Sequence, residues 1–230
     1  MRLSLVASSL LSLAACGGSE DSCTIDTSYD PVIDPARFAT TIDHPLFPLT
    51  PGATFVYEGG GERIEVEVTT DREMILGISA VVVRDTASID GEVIEDTFDW
   101  YAQDLDGNVW YLGEDTQELE NGQVTSTEGS WRAGVNGAKP GIIMPAVPIV
   151  GQPFRQEYAA CEAEDMGEVV ATNQPVTVPA GSFTGCLQTL DTSLLDPDLQ
   201  EHKFYCPGVG LALIVDLGSG VREELIQKAP

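Results

Sequence analysis

The sequence is poor in the residue types on which most enzymes and nucleic-acid-binding proteins depend. Its 230 residues include 2 histidines, and 11 Lys and Arg face 37 Asp and Glu, for a formal net charge of −26. A surface of that sign repels nucleic acid and anionic lipid headgroups, so we expect neither as a partner. The motifs G-x-S-x-G and H-E-x-x-H are absent, as are the phosphate-binding loop and the dinucleotide fingerprint. The sequence therefore nominates no catalytic residue, and a non-enzymatic protein is the favoured interpretation.

No apolar run is long enough to cross a membrane as a helix. The run at residues 3–13 follows Arg2 and is too short for a bilayer core about 30 Å thick. A basic residue, a short apolar run and Leu-Ala-Ala before Cys16 are the parts of a secretory signal peptide. We therefore predict that residues 1–15 are a signal peptide.

The cysteine that follows this segment gives it a more specific meaning. Leu-Ala-Ala-Cys resembles the bacterial lipobox, which implies diacylglycerol on the Cys16 sulfur, cleavage before Cys16 and acylation of the new amine. Two or more acyl chains anchor a protein stably, because each buried CH₂ contributes about 0.8 kcal/mol. The alternative is an ordinary cleaved signal with a chance cysteine. Gly17 replaces the aspartate that retains lipoproteins at the inner membrane of enteric-type bacteria, which favours the outer membrane in a host with two membranes.

Four cysteines remain once Cys16 carries lipid: Cys23, Cys161, Cys186 and Cys206. An even number in an oxidising compartment predicts two disulfides. Cys186 and Cys206 lie in consecutive strand-like runs, so we predict that they pair, which leaves Cys23 to pair with Cys161. The alternative, a zinc site built from four cysteines, lacks any C-x-x-C pair.

The order of polar and apolar residues predicts one β domain behind a flexible tether. Residues 16–43 are polar and contain scattered prolines, which indicates a tether, and the domain is predicted to occupy residues 44–230. Residues 63–69 alternate polar and apolar side chains strictly, as a half-buried strand does. Residues 74–83 are more apolar and predict a more buried strand.

Turn signals connect these strands. Asp90-Gly91, Asp106-Gly107 and Asn121-Gly122 are the dipeptides of two-residue hairpin turns. After residue 16 no segment has a helical period over 12 residues, although short helical turns are possible near residues 193–200. The predicted fold is therefore all-β, a single antiparallel meander that is strongly curved or a half-barrel.

Aromatic residues concentrate in the predicted hairpin at residues 93–113. A two-residue Asp106-Gly107 turn would place Tyr101 opposite Leu112, with Trp100 on the other face. Aromatics on both faces predict that one face lines the core and the other a groove. An apolar Gly/Pro stretch at residues 134–148 is either a lid over a cavity or a loop packed on the sheet. The residues predicted to bind an apolar or amphiphilic ligand are Trp100, Tyr101, Trp110, Tyr111, Trp131 and Met144.

The tip of the same hairpin also suggests calcium. Asp104, Asp106, Asn108 and Asp115 occupy positions 1, 3, 5 and 12 of a loop of EF-hand length. However, Val109 stands where that loop requires glycine, and flanking helices are not predicted. A plain hairpin turn is therefore the favoured interpretation, and a calcium site is the alternative.

Charge leaves the cation alternative open. Removal of residues 1–15 takes away Arg2 and no acid, so 10 Lys and Arg remain against 37 Asp and Glu, a net charge of −27. Such a surface attracts divalent cations, but solubility in a salty or calcium-containing medium explains it as well.

Three passages resemble a family of secreted, functionally uncharacterised bacterial and archaeal proteins: residues 44–59, residues 95–146, and residues 178–189 with 201–216. The last passage is similar to the wider TapB-like and DUF3108-like group of envelope proteins, in which a Pro-Ala-Gly-x-Phe strand is followed by a Tyr-x-Pro-Gly-Val-Gly strand. The resemblance implies a β-rich fold akin to the half-barrels of lipoprotein carriers and brings no catalytic residues. It also implies that the cysteines at positions 161, 186 and 206 are a local addition.

These observations lead to three hypotheses about function. The first is a non-enzymatic envelope lipoprotein, anchored to the membrane through lipid, whose curved sheet binds an apolar or amphiphilic ligand. The second is a calcium-binding or structural surface module. The third is a hydrolase that uses a pair of carboxylates, for which the abundant acids single out no particular pair.

Overall fold

The structure is a computed structural model that describes residues 28–230. The predicted signal peptide, the lipidation of Cys16 and the predicted partner cysteine Cys23 lie outside the described residues, so they stay predictions.

Residues 28–230 form one 3₁₀ turn, Pro35–Arg37, and fifteen β-strands, which confirms the all-β prediction. The strands are β1 (Thr54–Gly59), β2 (Glu62–Ile75), β3 (Ile78–Ile89), β4 (Glu92–Gln103), β5 (Val109–Glu120), β6 (Gln123–Ser126), β7 (Trp131–Arg132), β8 (Lys139–Met144), β9 (Pro153–Arg155), β10 (Glu157–Tyr158), β11 (Asp165–Val178), β12 (Gly181–Ser193), β13 (Gln200–Cys206), β14 (Gly210–Asp216) and β15 (Arg222–Ala229). The proposed short helical turns near residues 193–200 are bends and turns instead.

The strands belong to one antiparallel sheet that is nearly closed into a barrel. Its order is β10-β8-β5-β4-β3-β2-β1-β15-β14-β13-β12-β11-β9, and β6 and β7 pair with β5. The first and last strands, β1 and β15, pair with each other in the middle of this order. β9 and β10 are consecutive in the chain but lie at opposite edges of the sheet, so residues 153–158 bring the two edges together. We call this closing segment the seam.

The seam depends on a close approach of two backbones. The N–H of Gln156 donates to the carbonyl oxygen of Asp165 at 2.9 Å. On the other side, a Cβ atom at Gly141 of β8 would overlap the carbonyl oxygen of Gln156. Glycine is therefore required at position 141, because no side chain fits between β8 and the seam.

The upper end of the barrel, where β1 begins and the β4–β5 hairpin turns, is filled by residues 42–49. Phe47 enters the interior and packs against Tyr101 at 5.4 Å and Tyr205 at 6.1 Å between ring centroids, although these tyrosines lie on the separated strands β4 and β13. A barrel with more than eight strands is wider than its own side chains fill, which explains the need for this plug. The cavity left beside Phe47 is about 30 Å³, room for water and not for an organic ligand.

The described part of the predicted tether lies against the barrel. The hydroxyl of Tyr29 donates to the carbonyl oxygen of Pro140 at 2.7 Å, and the guanidinium of Arg155 lies 5.3 Å from the Tyr29 ring centroid. Phe38 forms a β-bridge with Asp104. Residues 29–43 are therefore docked, whereas their composition predicted a free segment.

The predicted single strand at residues 74–83 is wrong. Leu76 and Gly77 have φ values of 51° and 82° and form the turn between β2 and β3. A leucine with positive φ is uncommon, so the apolar run concealed this turn. Likewise, part of the predicted Gly/Pro loop is a strand, since β8 pairs with β5.

The predicted Cys186–Cys206 disulfide is confirmed. It joins β12 to β13, and both residues are fully buried. Cys161 is also disulfide-bonded. Because Cys23 lies outside the described residues, its pairing with Cys161 stays a prediction.

We expect Gly141→Ala to lower the free energy of unfolding by about 1–3 kcal/mol, because overpacking forces the seam away from β8. Urea denaturation measures this loss. Gly218→Ala is the matched control, because a Cβ atom added at Gly218 would lie 3.5 Å from its nearest neighbour, a side-chain oxygen of Asp216. Equal stability of the two variants would contradict the role assigned to Gly141.

Candidate functional site

The β4–β5 hairpin has a different register from the predicted one. Its loop is residues 104–108, and Tyr101 pairs with Tyr111 where the two-residue turn predicted Leu112. Further along, Asp99 pairs with Glu114, so two residues of β5 oppose Trp100 alone in a β-bulge. Beyond the bulge, the two strands pair in the register that the two-residue turn predicted.

The one-residue slip decides which aromatics are accessible. Tyr101 and Tyr111 now share a face, stack with ring centroids 4.8 Å apart, and are fully buried. Met144 is also fully buried, and Trp110 is half-buried against Phe38. Four of the six predicted ligand-binding residues are therefore packing residues in this structure.

The side chain of Asp104 explains the longer loop. Its carboxylate accepts hydrogen bonds from the backbone N–H groups of Asp106 and Asn108, both at 2.9 Å. It also accepts from Nδ2 of Asn108 at 2.9 Å and from Nε1 of Trp110 at 2.8 Å. A carboxylate that folds back onto the backbone in this way stabilises a turn.

The predicted calcium ligands are not brought together. Asp104 is committed to its own loop, Asp106 pairs with Arg37 at 2.7 Å, and Asp115 is exposed on β5 opposite Phe98. Among residues 28–230, no three His, Cys, Asp or Glu side chains lie close enough together to hold a metal ion. The geometry favours the plain turn, so calcium does not enter the proposals below.

We expect Asp104→Ala to lower the free energy of unfolding by about 2–3 kcal/mol, because it leaves several hairpin donors without their charged acceptor. Asp106→Ala, which removes one exposed ion pair, is expected to cost less than about 1 kcal/mol. Urea denaturation of both variants checks this order. A reversed order would show that the loop does not depend on Asp104.

A cavity of about 440 Å³ lies beside the seam, between the β5–β7 edge and the loop at residues 159–162. We call it the lateral cavity. Trp100, Trp131 and Ala138 provide apolar lining, and Val135 comes from the loop that was predicted to be a lid. Its volume falls within the range of small-molecule sites. Of the predicted ligand-binding residues, Trp100 and Trp131 line it.

Trp131 lines this cavity, but its indole N–H is buried. The residue is 5% exposed, its ring packs edge-on against Tyr111 at 5.4 Å, and its buried Nε1 has no hydrogen-bond partner among residues 28–230. Buried indole N–H groups usually have an acceptor.

The charges around the lateral cavity are mostly negative. Glu114, Asp115 and Glu162 contribute to the lining, and the cation there is Arg132. Arg132 donates to Glu73 at 2.6 Å and lies 5.1 Å from the Trp100 ring centroid. Since its charge is already compensated, the cavity favours a neutral or cationic polar group.

Glu114 is also part of a buried hydrogen-bonded group. The hydroxyl of Tyr111 lies 2.5 Å from Oδ1 of Asp99 and 3.0 Å from Oε2 of Glu114. Burial raises the pKa of Asp99. A glycosidase pair needs an open cleft between its carboxylates, whereas here a tyrosine hydroxyl fills that place and Asp99 is 1% exposed. This pair gives the hydrolase hypothesis no support.

Further acids line the lower half of the barrel interior. The strand registers place Glu62 and Asp85 on the same face as the core residues Ile64 and Val83. On β15, Glu223 shares a face with the buried Leu225. These positions follow from the alternation of side chains along each strand.

The electrostatics of these acids are dominated by burial. Burial, together with the charges of Glu201 and Glu62, raises the pKa of Glu223 to about 8. Burial likewise raises the pKa of Glu95 to about 7 and that of Asp85 well above its usual range. All three carboxyls therefore hold their protons at a higher pH than in an unfolded chain.

A buried lysine, Lys203, lies on β13, two strands from Glu223 on β15. The ammonium of Lys203 lies 3.2 Å from Asp191 and 3.4 Å from Glu201, and Nε2 of Gln156 donates to Asp191 at 3.0 Å. Burial lowers the pKa of Lys203, but the two carboxylates more than offset it, and the net direction is upward. The interior thus already holds one ammonium between two carboxylates.

Stability should fall as pH rises. A carboxyl whose pKa is higher in the folded state binds more protons there, so its contribution is present at low pH and lost as pH rises toward 8. We expect the free energy of unfolding to fall between about pH 5 and pH 8, and Glu223→Gln to reduce that fall. Urea denaturation at several pH values measures both.

Glu67→Gln is the matched control for this experiment, since Glu67 is exposed on the outer face of β2. It should leave the pH dependence as it is in the unmodified chain. A stability that rises with pH, or an equal effect of both variants, would contradict the interpretation of the buried acids.

The sequence interpretation missed Arg132, Glu162 and Glu223. The sequence does contain a signal for Glu223. It lies two positions before the apolar residue Leu225, and in a strand both side chains point to the same face. Arg132 lies on β7 and Glu162 in the loop at residues 159–162, and their sequence surroundings contain no comparable signal.

No protein-family model matches the chain, and no curated protein matches it. Among solved structures it is similar to that of "a putative lipoprotein from Parabacteroides distasonis", with 13% identity, a TM-score of 0.44, and coverage of 80% of this chain and 98% of that chain. At this identity and score the likeness identifies neither a family nor a function. Within residues 28–230, no helix has the length and apolar character needed to cross a bilayer.

Proposed function

We propose that the protein is an envelope lipoprotein, anchored through Cys16, that binds an amphiphilic ligand in the lateral cavity. The observation that carries this proposal is the 440 Å³ cavity with two tryptophans in its lining. Cys16 and the signal peptide support the address from the sequence alone. We infer no catalytic step.

The lining supports a ligand with two parts. The rings of Trp100 and Trp131 provide apolar surface for a hydrocarbon or aromatic body. The carboxylates of Glu114 and Glu162 disfavour an anion. The ligand class is therefore an amphiphile with a neutral or cationic polar group.

The position of the lateral cavity suits loading from the side. It lies next to the seam, where short strands and the loop at residues 159–162 replace the long strands found elsewhere in the wall. The upper end is filled by Phe47 and its neighbours, so that end offers no comparable space.

Binding can be tested with N-phenyl-1-naphthylamine, an uncharged fluorophore, and the full chain carrying Cys16→Ser, which cannot be acylated and is handled without detergent. We expect saturable binding. Ala160→Trp should weaken it at least tenfold, because Ala160 lines the lateral cavity and a large ring would fill it. Val147→Trp is the matched control, since Val147 is 72% exposed and outside the lining.

Equal binding by the Ala160→Trp and Val147→Trp chains would refute the lateral cavity as the site, as would an absence of saturable binding. Displacement tests the ligand class. Dodecyltrimethylammonium should displace the fluorophore at lower concentration than dodecyl sulfate does, in about 0.15 M salt to screen the surface charge. The opposite order would refute the preference for neutral or cationic groups.

A further inference from the structure

The segment that fills the upper end of the barrel is a closed turn. Residues 42–49, which we call the plug segment, begin and end at a β-bridge between Ile42 and Leu49, where the N–H of Leu49 donates to the carbonyl oxygen of Ile42 at 3.2 Å. Within the turn, the N–H of Phe47 donates to the carbonyl oxygen of His44 at 3.0 Å. The position of Phe47 in the barrel interior therefore depends on the shape of this turn.

The side chain of His44 completes the turn. It is 6% exposed, and its Nδ1 accepts a hydrogen bond from the N–H of Leu46 at 3.2 Å. The imidazole also hydrogen-bonds to the backbone of Pro145 and Ala146, in the loop after β8. A ring nitrogen that accepts a hydrogen bond carries no proton, so His44 is neutral in this arrangement.

Protonation of His44 is incompatible with the same arrangement. Imidazolium carries a proton on both ring nitrogens, so Nδ1 would face the N–H of Leu46 as a second donor. The hydrogen bond would be lost, and a positive charge would enter a buried position. Burial lowers the pKa of His44, and the backbone of Pro145 and Ala146 and the charge of Asp43 offset this only in part.

The surroundings of His44 offer little compensation for that charge. Among the described residues, Asp43 is the charged group that acts on it, and the carboxylate of Asp43 already accepts a hydrogen bond from Nε2 of Gln103 at 2.8 Å. Oε1 of Gln103 accepts from the N–H groups of Asp43 and His44, so β4 presents a neutral amide here.

Two cations contact the backbone next to the plug segment. Arg72 of β2 donates to the carbonyl oxygen of Thr40 at 3.2 Å, and Lys228 of β15 donates to that of Gly208 at 2.6 Å. The N–H of Gly208 in turn donates to a carbonyl oxygen of the plug segment at 2.8 Å. Because cations do not stabilise a further positive charge, these sides also favour neutral His44.

We propose that His44 is a pH sensor and the plug segment a gate, such that protonation of the imidazole releases residues 42–49 from the upper end of the barrel. Release would expose the interior beside Phe55, Tyr57 and Tyr101, which line the small cavity next to Phe47. This gate is separate from the lateral cavity and does not depend on the amphiphile proposed there.

The gate should open as pH falls. A histidine whose pKa is lower in the folded state contributes stability that is present above its ordinary pKa of about 6.5 and is lost below it. The buried carboxyls act in the opposite direction, since they stabilise the fold as pH falls. Opening of the plug segment can therefore be told apart from unfolding of the barrel.

The experiment is amide hydrogen exchange of the full chain carrying Cys16→Ser, the parent chain, at about pH 7.5 and about pH 5. Protection factors correct for the intrinsic pH dependence of exchange. The amides of Leu46, Phe47 and Leu49 donate within the plug segment and should lose protection at the lower pH. The amides of the long strands β2 and β12 should keep theirs.

His44→Asn is the variant that separates protonation from other effects of pH. Asparagine has an oxygen that can accept from the N–H of Leu46 as Nδ1 does, but it does not titrate. This variant should keep its protection in the plug segment at the lower pH. His202→Asn is the matched control, since His202 of β13 is the other histidine of the chain, and it should behave as the parent chain does.

An NMR titration of the two imidazoles tests the gate in the parent chain itself. His44 should titrate below the ordinary range of histidine, and the loss of protection should follow its midpoint. The proposal is overturned if the plug segment is equally protected at both pH values or if His44→Asn loses protection to the same extent. A loss that extends to all strands would also overturn it.

Discussion

The close approach of β8 to the seam is the constraint on which the rest of the structure depends. Residues 153–158 bridge two sheet edges, and Gly141 lets the backbones meet there. Once the wall is nearly continuous, every inward side chain leaves bulk water, whatever its polarity. Hydrogen-bond register decides which side chains point inward, because adjacent residues of a strand face opposite sides.

This constraint divides the interior into two ends of different chemistry. At the upper end Phe47, Tyr101 and Tyr205 form an aromatic plug. At the lower end the same inward faces carry carboxyls, and burial keeps those of Glu223 and Asp85 protonated to unusually high pH. Ionisation of a buried carboxyl that has no ion-pair partner lowers the stability of the fold.

The lateral cavity lies where the wall departs from long regular strands. It adjoins the seam, where the strands are short. Long paired strands leave no gap for a ligand, because adjacent strands are only about 4.8 Å apart. Sequence patterns describe regular strands well and their interruptions poorly, which explains why Trp100 and Trp131 were predicted while Arg132 and Glu162 were not.

In the hairpin at residues 93–113, the sequence predicts the strands but not their register. Its strands follow from alternation and from the Asp106-Gly107 turn signal. Its register does not, because the carboxylate of Asp104 collects donors from Asn108 and Trp110 and lengthens the loop. That one-residue difference buries Tyr111 beside Tyr101.

The sequence by itself determined the β class, most strand positions and the Cys186–Cys206 pairing, because these depend on local alternation and on neighbouring strands. The tertiary structure alone decided the closure of the barrel and the position of the lateral cavity. These depend on contacts between distant parts of the chain, such as Gly59 with Glu223 and Gly141 with Gln156. Local sequence patterns do not encode which distant backbones meet, so only the folded chain could show them.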